Sequence, residues 1–411
     1  MDLTNFRNYL RLELSVPAGM VILQGDNGQG KTNLLEAVYL LAATKSHRAS
    51  TDRELVNHRA LEGELPFARL CSQVQKQSGP LEMEIVIQAR SPSGRGSEVP
   101  FASGEEVVSP LHALMGNVGK RMKVNGVGRR AIDVVGQVNV VVFDTQDIDL
   151  IGGSPALRRR YLDISISQMD RRYLKTLQRY NKVLLQRNHL LRLIQESQAT
   201  PDELVFWDGQ LVETGSYLIA QRQSTIEALN DISRELHLEL TGGQEELKIV
   251  YLESTKAHGA RDQRACELHE TTAEDFREAL GKLHGREIAR GMTLVGPHRD
   301  DLQFVVDRVD MGVYGSRGQQ RTIALSLHLA EASLMTRKVG EQPILLLDDV
   351  LSELDERRRA HLLESILCYQ QVLLTTAELA PIPASFLSNA SVFRVDQGTV
   401  EREAQADQTH S

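Results

Sequence analysis

Cysteine is scarce: Cys71, Cys266 and Cys368 are the only three, odd in number and far apart. That spacing supports neither a disulfide framework nor a zinc site, and it agrees with a reducing compartment. Long apolar runs are missing as well. No run of about 18 or more apolar residues occurs, and the N-terminus lacks the basic-then-apolar layout of a secretory signal. The expectation is a cytoplasmic protein with no membrane partner. Positive charge is not in excess either. A formal net charge of −8 argues against a chain that coats nucleic acid over its whole surface, and leaves room for a local basic patch.

With 411 residues, 41% of them apolar and 25% charged, the chain exceeds what one core usually supports, so two or three structural units are expected. The stretch around which the rest is organised is Pro343–Asp355. An unbroken apolar run, Ile344 to Leu347, ends in Asp348 and Asp349, as in a buried parallel strand that delivers acid to the carboxyl edge of a sheet.

A phosphate site lies near the start. Met20 to Leu23 reads as a buried strand, followed by Gly25-Asp26-Asn27-Gly28-Gln29-Gly30-Lys31-Thr32 and then by the helical pattern Leu34, Leu35, Val38, Leu41. This is G-x-x-x-x-G-K-T between a strand and a helix, the setting that separates it from a chance glycine-rich turn. Its amides would cradle phosphate oxygens at a helix N-terminus. Lys31 would reach the β and γ phosphates of a nucleotide, and the Thr32 hydroxyl would ligate magnesium.

Residues 60 to 143 read as a β-rich lobe. Leu81, Met83, Ile85 and Ile87 alternate with polar residues, Asn125-Gly126 is a two-residue hairpin turn, Ser91 to Ser109 reads as a loop, and Val138 to Phe143 is another buried strand. From Ser154-Pro155 to about residue 240 helical periodicity takes over, with Asp170 and Thr200-Pro201 as further starts and Thr241-Gly242-Gly243 as a stop. Between Arg158 and Arg192 stand ten Arg or Lys against Asp163 and Asp170 alone, a segment of charge +8. Such a run is either a solvated helix face or a surface for a duplex backbone. The DNA-binding candidates are Arg158, Arg159, Arg160, Arg171, Arg172, Lys175 and Arg179.

Lys256 to Glu270 is polar and irregular, and a helix is expected over 272–284. Strands return at Met292 to Val295 and Leu302 to Val306, so the nucleotide fold is split around a helical insertion. Ser316-Arg317-Gly318-Gln319 precedes a helix over about 321–336 and forms a second small polar loop at a helix start. The alternative is a plain cap. Two phosphate-binding starts suit one nucleotide if the Ser316 loop of each subunit closes the Lys31 site of the other. Gln371 to Thr376 is the neighbouring strand, whose Thr375 and Thr376 stand either near the γ-phosphate or at an ordinary strand end. Phe393 to Val395 is a short final strand, and the polar tail from about Glu403 is expected to be disordered.

Together these residues resemble the ABC-type ATPases of the SMC and repair kind, and within them the RecF family. The marks are Asn5-Phe6-Arg7-Asn8-Tyr9, Gly25 to Asn33, Lys45-Ser46-His47-Arg48, Gly153-Ser154-Pro155 with Arg158 to Arg160, Gly296 to Leu302, Gly318 to Thr322 and Leu347 to Asp355. They run in the family's order from residue 5 to residue 376. The resemblance implies an α/β fold, an ABC-type P-loop ATPase head with a β-rich subdomain and an inserted helical lobe. It divides the chain into 1–153 and 289–402 as the two halves of the head, 154–288 as the helical lobe and 403–411 as the tail. It implies an ATP-dependent homodimer that binds duplex DNA and gapped junctions and, with RecR and RecO, helps load RecA. It adds Arg7, Asn8 and Asn33, with Ser316, Gly318 and Gln319 in trans, to the nucleotide contacts, and Asp348 and Gln146 to Thr32 as metal ligands. Lys31 and Asp349 become the catalytic pair, Asp349 as the base. Two features depart from the pattern. Family members usually carry more residues before Asn5, so a shortened edge strand or a different start is expected here. Asp349 stands where ABC ATPases generally have Glu, which points to a weak, slow ATPase used as a switch. A transporter subunit and an SMC-like clamp are the rivals; the basic insertion argues against the first, and the modest distance from Thr32 to Tyr314 against the second.

Overall fold

The computed structural model describes residues 1–63, 66–89, 118–255 and 268–403. The expected loop at 91–109, the irregular stretch from Lys256 through residue 267 and the tail beyond Glu403 lie outside these residues. The chain forms two compact units, one of Met1–Asp144 with Pro343–Ser411 and one of Thr145–Gln342.

The first unit holds two six-stranded sheets. One runs Thr399–Arg402, Ala390–Asp396, Gly19–Gln24, Gln371–Thr376, Ile344–Asp348, Val140–Asp144, parallel throughout except for the antiparallel hairpin at its edge. Its central strands are continuous Val/Ile/Leu runs because both faces are covered. The other is antiparallel, in the order Tyr9–Glu13, Asp2–Phe6, Phe67–Lys76, Gly79–Ala89, Val118–Val124, Val127–Arg129. Leu81, Met83, Ile85 and Ile87 point to one buried face of it. Helix Lys31–Ala43 is apolar nearly all round, as a helix enclosed on all sides must be, and shares one core with residues of both sheets, among them Leu23, Leu346, Leu373, Leu70 and Ile85. Asp2–Phe6 is not the shortened edge strand expected; it lies between Tyr9–Glu13 and Phe67–Lys76.

The second unit is mainly helical: Pro155–Met169, Arg171–Gln195, Leu204–Thr241, Leu268–Arg290 and Arg317–Val339, with a small antiparallel sheet of Leu247–Leu252, Asp301–Val306 and Val309–Asp310. Asp170 caps the second of these helices through the Arg172 amide, Thr200 and Glu203 form a capping box, and Gly242 ends the long helix in the left-handed conformation. Residues 289–342, assigned by sequence to the returning head, belong to this unit. Helix Arg317–Val339 packs on Leu204–Thr241, and strand Asp301–Val306 pairs with Leu247–Leu252. Met292 to Val295 is not a strand. Side chains satisfy its amides instead of a ladder: Asn188 Oδ1 accepts from Thr293 N and Glu287 Oε1 from Leu294 N.

The core of this unit is unusually polar. Arg187 is fully buried and binds Glu287, also fully buried, at 2.7 Å and Asp208 at 2.6 Å. Arg222 donates to Asp163, Tyr173 and the Pro297 carbonyl. Asp300, at 0% exposure, accepts from the Tyr251 hydroxyl and from the Ser254 amide and hydroxyl. The Gly296 to Leu302 motif is thereby a knot of buried polar contacts. Among the described residues no helix is long and apolar enough to cross a membrane.

Buried His328 lies 3.1 Å from both Asp147 and Glu331. Burial alone would lower its pKa, but the two carboxylates more than reverse that and hold it at about 10. The folded value exceeds the unfolded one of about 6.5, so this stabilisation is complete below about pH 6.5 and is lost as pH rises through 10. Urea denaturation from pH 6 to 10 should show stability falling across that window, and a flatter profile for His328→Leu; identical slopes would remove this ion pair as the source.

Candidate functional site

Strand Gly19–Gln24 runs into the loop Gly25–Gly30, and helix Lys31–Ala43 follows without a gap. Gly30 is the N-cap at φ 119°, no side chain caps the helix, and its first turn carries no acid. The free N–H groups and the dipole of this terminus are therefore available to an anion. A Cβ on Gly30 would strike the side chains of Asn8 and Tyr9, and one on Gly25 would strike the Val395 carbonyl. Glycine is required at both positions.

Lys31 is 6% exposed. Its ammonium donates to the carbonyls of Gly25 and Asp26 and makes no direct ion pair with a carboxylate among the described residues. Burial lowers its pKa, and the fields of Asp349, Asp348 and Asp26 partly restore it. A buried cation held only by carbonyl dipoles fits a polyanion such as a nucleotide triphosphate.

Asp348, the last residue of its strand, accepts from the hydroxyls of Thr32 and Thr375, both at 2.8 Å. A hydroxyl and a carboxylate side by side next to a phosphate cradle form an oxygen-only donor pair. That pair fits magnesium, which commonly takes one or two protein oxygens and completes its shell with water and substrate phosphates. No group of three or more His, Cys, Asp or Glu able to hold a metal occurs among the described residues.

Asp349 departs from the strand at φ 53°. The two carboxylates are thus separated by a left-handed backbone turn, not by the alternation of an extended strand. The Asp349 amide donates to Thr375 Oγ1 at 2.9 Å, and the Ser352 hydroxyl donates to the Asp349 carbonyl. Burial raises the Asp349 pKa against the opposing pull of Ser352 and Lys31. Its carboxylate is a readier proton acceptor than an ordinary surface Asp. Thr375 stands as a buttress of both aspartates, while Thr376 donates to the Glu378 carbonyl.

Arg7 and Asn8 act on the loop from behind. Arg7 binds Glu36 bidentately at 2.7 Å and the Glu54 carbonyl at 3.0 Å. Glu36 is fully buried and also accepts from Ser46. Asn8 donates to the Gln29 carbonyl and accepts from Asn33; the Tyr9 hydroxyl donates to the Gly30 carbonyl. His47 packs edge-on to Tyr39, its Nε2 4.0 Å from Asp144, and burial lowers its pKa. Glu36 escaped the sequence reading, although a lone Glu inside an apolar helix was a signal for it; Ser46 was marked without a role, and of the two threonines weighed near the γ-phosphate Thr375 is the one that meets Asp348.

In the second unit Ser316 and Gln319 form a reciprocal capping box at the start of Arg317–Val339: Gln319 N donates to Ser316 Oγ and Ser316 N to Gln319 Oε1. Gln319 also donates to Glu245, so its side chain is fully engaged within the unit. Ser316 and Gly318 are exposed, and so are Val313 (69%) and Tyr314 (76%) just before them. Gln146 is exposed in the turn Thr145–Asp147.

The basic segment divides. Arg158 is buried and bidentate to Asp301, with the Ile151 and Gly153 carbonyls completing its shell, and this withdraws it from the exposed face where sequence placed it. Arg187 is in the polar core, and half-buried Arg159 donates to the Asp300 carbonyl. Arg172 stacks 4.5 Å over Tyr217, and Arg179 pairs with Glu213. Arg160, Arg171, Lys175 and Lys182 are exposed.

A family model described as RecF/RecN/SMC N terminal domain matches residues 1–400. A DNA replication and repair protein RecF from Chloroflexus aurantiacus is 44% identical over 405 residues, covering 97% of each chain. A solved structure of the recombination mediator protein RecF with ATP, in the RecFOR pathway, superposes with a TM-score of 0.80 at 31% identity, over 98% of this chain and 96% of that one. A crystal structure of an Smc head bound to the C-winged helix domain of ScpA, at TM-score 0.51 and 13% identity, shares the fold.

Proposed function

This chain belongs to the RecF family of DNA replication and repair proteins, and from that premise we propose that two copies close around ATP, grip gapped duplex DNA while closed, and release it after slow hydrolysis in the cytoplasm. The observation that carries this reading is the pair of acid-free helix starts, one with buried Lys31 and one exposed at Ser316. One nucleotide per pocket accounts for both if Ser316 and Gly318 act on the nucleotide of the partner copy. Exposed Val313 and Tyr314 flank that loop and supply apolar area for closure.

In the reaction, water attacks the γ-phosphorus of ATP, the bond to the β,γ-bridging oxygen breaks, and ADP leaves. Lys31 and the loop amides hold the phosphates. Thr32 and Asp348 would hold magnesium; when bound, the ion would supply positive charge against the phosphates. Asp349 accepts the proton of the attacking water. An Asp reaches less far than the Glu usual at this position, which makes turnover slow and the enzyme a timer. The DNA surface is the exposed face with Arg160, Arg171, Lys175 and Lys182, joined by Arg172 and Arg179. Partners in the same pathway, RecR and RecO, would use the loaded dimer to place RecA on gapped DNA coated by single-strand-binding protein.

Asp349→Asn should retain ATP binding, lose at least roughly tenfold in turnover and accumulate dimer on size exclusion; undiminished turnover would take Asp349 out of the base role. Mixing Ser316→Arg with Lys31→Ala subunits should restore part of the activity, because one composite site in each mixed dimer is intact. No rescue from two folded variants would sink the shared pocket. Replacing Arg171, Lys175 and Lys182 by Gln should weaken duplex binding and flatten the log K against log salt slope by about 0.9 for each phosphate no longer neutralised; binding that does not change would make this face a merely solvated one.

A further inference from the structure

The last two strands of the first unit form a hairpin that the sequence pattern did not reveal. Ala390–Asp396 pairs with Gly19–Gln24 on one side and with Thr399–Arg402 on the other, Asp396 opposite Thr399. Its two turn residues, Gln397 at φ 45° and Gly398 at φ 83°, both lie in the left-handed region, the combination that a tight two-residue hairpin turn requires. Because Arg394 is in register with Gln24, the turn stands beside the loop that leaves Gln24.

Both turn amides end on one residue of that loop. Gln397 N donates to Gln29 Oε1 at 2.8 Å, and Gly398 N donates to the Gln29 carbonyl at 3.2 Å. Asn8 Nδ2 donates to the same carbonyl at 2.9 Å, and the Tyr9 hydroxyl holds the next carbonyl, that of Gly30, at 2.9 Å. In a planar trans peptide the C=O and N–H point in opposite directions. Fixing the Gln29 carbonyl on the hairpin side therefore turns the Gly30 N–H away from it, and fixing the Gly30 carbonyl does the same for Lys31 N–H. These two amides sit where loop becomes helix, the place at which a phosphate is received. Space is tight: a Cβ on Gly398 would lie 2.9 Å from the Asn8 carbonyl.

We propose that the Gln397–Gly398 turn is a positioning element for nucleotide: by clamping Gln29 against Asn8 it presets the direction of the loop amides and so sets the affinity for ATP. The inference rests on the phosphate-loop reading above and deepens it, since no atom of the turn need touch the nucleotide.

The test is calorimetric titration of ATP with magnesium into the full-length protein, with steady-state turnover alongside. Gly398→Ala forces a side chain against Asn8 and strains the turn, and Gln29→Met removes the acceptor for Gln397 N at similar volume. Each should weaken ATP binding roughly three- to tenfold, the range expected for one hydrogen bond, and Gly398→Ala should act on KM with little effect on kcat. Because the two changes break one clamp, the double variant should be no weaker than the worse single one. Gly126→Ala is the control: it places the same strain at φ 75° in the turn of another hairpin, with nothing within 4 Å of its Cβ, and should leave ATP affinity unchanged. Additive losses, wild-type affinity in Gly398→Ala, or an equal loss in Gly126→Ala would overturn the clamp. Lys31→Ala separates the two readings. Binding lost in Lys31→Ala but intact in Gly398→Ala removes the clamp alone, whereas binding intact in Lys31→Ala removes the nucleotide site and the clamp with it.

Discussion

A buried ammonium with only carbonyl oxygens against it is an expensive thing to keep in a folded protein. Lys31 is in that position, and much of the first unit can be understood as the means of keeping it there. The carbonyls of Gly25 and Asp26 receive its protons, while Asp348 and Asp349 contribute their field without direct contact. The Asp348 carboxylate is itself held by the Thr32 and Thr375 hydroxyls, and the backbone amide of Asp349 donates to Thr375. Behind the loop, the Arg7–Glu36 pair and Asn8 keep the backbone from relaxing toward the charge. A site with a positive charge free of any direct ion pair, set in a rigid frame, binds an anion strongly because the frame has already absorbed the cost of order.

The parts of this arrangement made of continuous sequence were legible without coordinates. A glycine-rich loop between an apolar run and an apolar helix, and an apolar run ending in two acids, each carry their meaning within about fifteen residues. The partners of the supporting groups were not. Glu36, Ser46 and Thr375 are ordinary residues whose roles come from tertiary neighbours, and Gln397–Gly398 meets Gln29 across nearly the whole chain. The orientation of Asp349 was not legible for a local reason: it stands one residue beyond the strand, where the backbone turns left-handed.

Charge counting failed in a different and instructive way. The basic segment looked like one surface because sequence records sign and not depth. In the folded unit Arg158, Arg187 and Arg222 are interior ties to Asp301, Glu287 and Asp163, and their partners come from distant stretches such as Gly296 to Leu302. Arginine suits such sites because its planar fork can satisfy several acceptors at once while staying charged. What remains outside in the basic segment is Arg160, Arg171, Lys175 and Lys182, with Arg172 stacked on Tyr217, Arg179 paired to Glu213, and Arg192. Met292 to Val295 misled for a related reason, since its amides are satisfied by polar side chains that take the place of a neighbouring strand.

The parallel sheet is assembled from both ends of the polypeptide: Gly19–Gln24 and Val140–Asp144 are made early, Ile344–Asp348 and Gln371–Thr376 late. Between them the ribosome must produce the whole of Thr145–Gln342, which at bacterial speeds occupies roughly ten seconds or more. Throughout that interval Gly19–Gln24 has no partner to close against, and Thr32 waits for an aspartate 316 positions downstream. Competence for nucleotide therefore arrives only with the final stretch of translation, and a prematurely ended polypeptide is silent by construction.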